Sequence, residues 1–78
     1  MRQLEIIQLA ITRHGGKAHY SSIYAEYERI TGRPLTDGTK AGIRKCIEDH
    51  SSDSDNYKGI DDIFYSVAGK GSGIWGLR

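Results

Sequence analysis

Residues 50–78 read HSSDSDNYKGIDDIFYSVAGKGSGIWGLR, a polar loop followed by two short apolar runs around a glycine-rich turn. Residues 51–62 carry no apolar period and are dominated by Ser, Asp, Asn, Gly and Lys, so they form a polar loop. Residues 63–67 are rich in β-branched and aromatic side chains, and residues 74–77 return with Ile, Trp and Leu, which predicts two strands. The run Gly69-Lys70-Gly71-Ser72-Gly73 supplies the turn between them. Alternation places Ile63, Tyr65 and Val67 on one face of the first strand and Phe64 and Ser66 on the other. It also places Trp75 and Leu77 together in the second strand. One face must be core, so most of these aromatics are packing residues, and a ring at the rim remains available to a ligand.

Working upstream, the apolar period changes from two to 3.6. Leu4, Ile7 and Ile11, widened by Ile6 and Ala10, form the stripe of a first helix that stops at Gly15-Gly16. A short connector or strand follows at residues 18–20. Ser21-Ser22 offers an N-cap for a second helix carrying Ile23, Tyr27 and Ile30, ended by Gly32 and Pro34. A third helix begins near Thr36-Asp37 and runs to about His50, with Ile43, Cys46 and Ile47 inward. Asp37, Gly38, Ala41, Lys45 and Glu48 face outward, and Lys40 and Arg44 flank them. Gly38, Ala41 and Gly42 leave its first half slim. The expected fold is α+β: a winged helix-turn-helix with three helices and a C-terminal two-stranded β-hairpin wing, spanning residues 1–78 as one domain.

Composition narrows the function classes. With 78 residues, 37% hydrophobic and 27% charged, the chain suits one small globular domain that buries about 60% of its unfolded surface. No apolar run approaches the roughly 18 residues of a membrane span, and the start lacks a signal-peptide pattern, so a cytoplasmic, membrane-free setting is expected. The single Cys46 allows neither an internal disulfide nor a cysteine-based zinc site, and its place in the stripe suggests a small buried hydrophobe. Net charge is +1, from 11 Lys and Arg against 10 Asp and Glu. That is weak for a protein held on DNA by charge alone, so affinity would depend on local placement.

Catalysis has no support in the residues. His14, His19 and His50 fall in separate elements, and no nucleophile sits beside a base in a known motif. Asp53-x-Asp55 opens like a calcium loop, but Lys58 stands at the turn-glycine position and Phe64 at the closing-glutamate position. The glycine run around Lys70 lacks the order of a phosphate-binding loop and precedes a strand. Neither a metal nor a cofactor is expected.

The candidate contacts are to nucleic acid. Helix-turn-helix proteins present the second helix of the motif to the major groove, N-terminal residues nearest the bases. Here that helix carries Lys40, Ala41, Arg44 and Lys45, and Ser51, Ser52, Asp53 and Ser54 follow, a set able to clamp phosphate and meet base edges. The alternative is a solvated helix face with ordinary C-terminal positive charge. Asp53 is suited either to accept from a cytosine amino group or to orient an Arg. Lys70 at the tip either touches phosphate or is merely solvated.

These residues also carry a resemblance. Ile43-Arg44, Ile47-Glu48, His50-Ser51-Ser52-Asp53-Ser54, Asp62-Ile63-Phe64-Tyr65-Ser66-Val67 and the closing Gly-Ile-Trp-Gly-Leu-Arg78 resemble the winged-helix module at the C-terminus of modification-dependent restriction endonucleases. In those proteins, bacterial or archaeal, it accompanies HNH-type or phospholipase-D-type nuclease domains. The resemblance implies a non-catalytic, monomeric reader of N6-methyladenine in double-stranded DNA, in a fully methylated GATC context, that targets a linked nuclease domain. The implied reading surface is Lys40, Ala41, Arg44, Lys45, residues 51–54 and Lys70, with Tyr65 and Trp75 as candidates for the methyl contact. The rival expectation is a winged-helix module that binds protein.

Overall fold

The computed structural model describes residues 1–69 and 71–78. The chain is α+β, with helix α1 (Gln3–Arg13), strand β1 (Lys17–His19), helices α2 (Tyr20–Thr31) and α3 (Asp37–Asp49), and strands β2 (Phe64–Ser66) and β3 (Ile74–Leu77). Lys70 lies outside the described residues. No helix among those described is long and apolar enough to cross a membrane.

The sheet has three antiparallel strands in the order β1-β3-β2. The short segment at residues 17–19 therefore completes the sheet: it pairs with the edge of β3 that β2 leaves open, Ala18 opposite Trp75. Strand β2 pairs with the other edge, Phe64 opposite Leu77 and Ser66 opposite Trp75. Partners across a ladder share a face, so Ala18, Phe64, Ser66, Trp75 and Leu77 point one way. Tyr65 and Gly76 point the other.

The first face is the core side. Phe64 is fully buried, with Ile7 and Ile11 of α1, Ile23 of α2 and Ile43 and Ile47 of α3. Tyr65 lies across Gly76 on the far face, where a Cβ at position 76 would stand 2.5 Å from its ring. Only a glycine lets that ring lie flat on the strand.

Helix α2 starts earlier than the serine pair suggests. β1 runs into it without a linker, and His19 caps it: Nδ1 accepts from the Ser21 N–H at 3.1 Å. A donor N–H leaves Nδ1 no proton, so the neutral ring carries its hydrogen on Nε2. At the other end Gly32 takes the left-handed conformation, φ 70°, and its N–H meets the Glu28 carbonyl. The expected cap of α3 is present, with the Thr36 hydroxyl accepting from the Thr39 N–H at 3.1 Å. Gly42 serves packing more than the outer face, since a Cβ there would approach Gln3 of α1 at 3.2 Å. Cys46 is half-buried against the core, and burial raises its thiol pKa, with Asp49 adding to the shift.

One buried charge has no counterpart in the sequence reading. Glu26 on α2 is 8% exposed, and its carboxylate meets Arg29, Arg13 at 3.5 Å and His14 at 3.6 Å. Burial pushes its pKa up, but the Arg29 hydrogen bond and the surrounding cations win, and the net shift is downward. Through Arg13 and His14 the cluster joins the end of α1 to the middle of α2.

Candidate nucleic-acid interface

Helix α3 projects three cations, and each has an internal partner. Lys40 Nζ lies 5.6 Å from the centre of the Tyr24 ring, close enough for a cation–π contact. Arg44 donates from Nη1 to the Tyr24 hydroxyl at 3.0 Å. Lys45 donates to Asp49 at 2.6 Å, an i,i+4 pair on the exposed helix face. Tyr24 thus sets the position of both cations on its side of α3. Ala41 is exposed between them and lines, with Arg44, Lys45, Glu48 and Lys58, a groove of about 330 Å³.

A second cleft, about 470 Å³, opens between α3, the loop after it and the β2–β3 hairpin. Tyr20 and Trp75 form its aromatic wall, and Glu48, Ser54, Asn56 and Ser72 contribute polar edges. Tyr20 stacks on Tyr24 with centroids 6.0 Å apart and tilts against Trp75 at 6.3 Å. The three rings therefore run as one array from the hairpin to the cations of α3. Burial, followed by the nearby Glu48 charge, pushes the Tyr20 hydroxyl pKa up to about 12, so it stays protonated.

The Trp75 side chain places a donor inside the cleft wall. The residue is 8% exposed, and its buried Nε1–H has no hydrogen-bond partner among the described residues. The indole N–H still acts on the Tyr20 hydroxyl, lowering its pKa against the larger effect of burial.

The loop residues expected at the interface divide. Ser51 is fully buried, and its hydroxyl accepts from the Asp53 N–H at 3.2 Å. It shapes the loop and has no surface to offer DNA, which corrects its assignment as a contact. Ser52 is bound to Asp62: its N–H meets Oδ1 at 2.9 Å and its hydroxyl meets Oδ2 at 2.6 Å. Asp53 accepts from the Ser66 N–H at 2.9 Å and faces Arg78 at 3.2 Å. Of its two expected roles, orienting an Arg is the one the geometry displays. Ser54 accepts from the Asn56 N–H at 3.0 Å and lines the cleft.

Arg78 closes this network. Its Nε donates to Asp62 Oδ1 and to the Phe64 carbonyl, both at 2.9 Å, and Nη2 donates to the Ser52 hydroxyl at 3.1 Å. The Ser-Ser-Asp-Ser run and the terminal Arg78 are thus two halves of a clamp that seals the loop onto the sheet. The Ser52 bonds, supported by Arg78, hold the Asp62 pKa below its ordinary 3.8.

A carboxylate whose pKa falls on folding contributes stability that is present above its unfolded pKa and lost as pH drops through the folded one. Asp62 and Glu26 both behave this way. Urea midpoints are therefore expected to be flat near neutrality and to fall once the pH enters the range of the ordinary values, 3.8 and 4.5, and below. Asp62→Asn should flatten part of that acid limb; an unchanged limb would remove the clamp from the account.

The two methyl-contact candidates are separated. Trp75 opens on the cleft, whereas Tyr65 sits on the far face of the sheet and does not line it. Three contributors were missed in the sequence: Tyr20, Tyr24 and Asn56. The i,i+4 spacing of the two tyrosines, off the Ile23–Tyr27 stripe, was the available signal. Among the described residues no group of three His, Cys, Asp or Glu is arranged to hold a metal. No family model, curated protein or solved structure matches the chain.

Proposed function

We propose that this chain is a winged-helix module that binds double-stranded DNA and reads N6-methyladenine, with α3 toward the major groove and the β2–β3 hairpin as its wing. In this reading it has no catalytic activity and targets a linked nuclease domain, as the resemblance, which spans nearly the whole chain, implies. The observation that carries it is the aromatic cleft beside α3. Tyr20 and Trp75 offer apolar surface to a methyl group, while Lys40 and Arg44 stand on the adjoining helix for phosphate or base contact.

A buried methyl carbon is worth roughly 0.8 kcal/mol, or about fourfold in affinity. Titration of GATC duplexes is therefore expected to give the order fully methylated, hemimethylated, unmethylated, with about fourfold per methyl group. Equal affinity for all three would reject methyl reading and leave DNA binding standing. Lys40→Ala and Arg44→Ala should each lower the slope of log affinity against log salt by about one.

A protein-binding role is favoured by two features: Glu48, Asp53 and Asp55 line the same cleft, and the net charge is only +1. Absence of duplex binding at low salt, where phosphate contacts are strongest, would select that reading.

A further inference from the structure

Glu48 follows Arg44 by four residues on α3, a spacing at which helices commonly join opposite charges. That bridge is not made. Arg44 turns to the Tyr24 hydroxyl and Lys45 to Asp49. The hydrogen-bond partner of Glu48 among the described residues is the neutral Asn56 amide, with Nδ2 donating to Oε1 at 2.9 Å. The half-buried carboxylate lines both the aromatic cleft and the groove along α3, and Asn56 lies at the junction of the two.

On a DNA-facing surface such a carboxylate is repelled by every nearby phosphate. It is tolerated where a donor meets it, and the donors of the major groove are the exocyclic amino groups of cytosine and adenine. A paired N6-methyladenine spends its one remaining N6–H on thymine O4 and presents its methyl group to the groove, so it cannot satisfy Glu48. A paired cytosine keeps one N4–H free.

We propose that Glu48, oriented by Asn56, reads the amino group of a cytosine flanking the methylated step. This rests on the DNA-reading proposal above and adds a specificity-determining residue to it. Its force is mainly exclusion: a neighbour without a groove-facing N–H leaves the carboxylate unpaired beside the phosphates.

The test uses labelled, fully adenine-methylated GATC duplexes in which the cytosine is kept, replaced by thymine paired with N6-methyladenine, or replaced by N4-methylcytosine, each replacement retaining pairing and leaving no free N–H in the groove at that pair. The protein is expected to bind both replacements roughly tenfold more weakly. Glu48→Ala should bind all three within about threefold of one another, and should bind the replaced duplexes more tightly than the unsubstituted protein does. Asn56→Ala, which leaves net charge unchanged, should lower the discrimination without changing the salt slope, as a positioning residue would. Methyladenine preference with indifference to the cytosine, or full discrimination retained in Glu48→Ala, overturns the role of Glu48 alone. No duplex binding by the unsubstituted protein overturns both proposals.

Discussion

Phe64→Ala is expected to lower the unfolding free energy by about 3–5 kcal/mol, the range for an aromatic ring deleted from a packed core. Phe64 has no exposed surface and sits on the core face of β2. A 78-residue domain has roughly 4–12 kcal/mol of stability in total. The single deletion therefore removes a large share of it, and the variant should melt well below the unsubstituted protein. Tyr65→Ala, one residue along but on the opposite face, is the control. It leaves the core filled and should cost far less, so similar melting temperatures for the two variants would refute the assigned register of β2.

Arg78→Ala is expected to loosen residues 51–62 selectively. The side chain joins Ser52, Asp62 and the Phe64 carbonyl, and its backbone N–H meets the Ile63 carbonyl at 2.9 Å. Hydrogen bonds to a charged group contribute about 1.5–3 kcal/mol, and the figure belongs at the low end because the side chain is 35% exposed and its ion pairs are screened. Amide exchange should accelerate at Ser52 and Ser66, whose N–H groups depend on Asp62 and Asp53, before it accelerates in α1. Arg78→Lys should rescue little, since an ammonium cannot span three acceptors with the geometry of a guanidinium. Uniform acceleration through α1 would mean that the clamp is part of the global folding unit.

The clamp also alters what the Ser-Ser-Asp-Ser run means. As a string it looks like a set of donors and acceptors suited to base edges, because small polar residues after a helix have no visible partner in sequence. Ser52 and Asp53 find their partners in Asp62, Ser66 and Arg78, ten to twenty-six positions away, while Ser51 and Ser54 accept from N–H groups two residues on. Much of the hydrogen-bonding capacity of Ser51, Ser52 and Asp53 is used inside the fold. The surface left for a ligand moves to the aromatic array, Glu48 and Asn56.

The features legible in the chain alone are local and periodic. The stripes of α1, α2 and α3, the Thr36 cap, the Gly32 stop and the alternation of the last two strands all follow from spacing, because each depends on neighbours within a turn or across one pleat. Tertiary structure decided the remainder. It made β3 central by pairing it with residues 17–19, chose the Phe64 face as core, and put Tyr65 and Trp75 on opposite sides of the sheet. It also turned Arg44 toward Tyr24 and away from Glu48. These outcomes depend on which faces meet after the chain folds back, and contacts at that separation have no period to betray them.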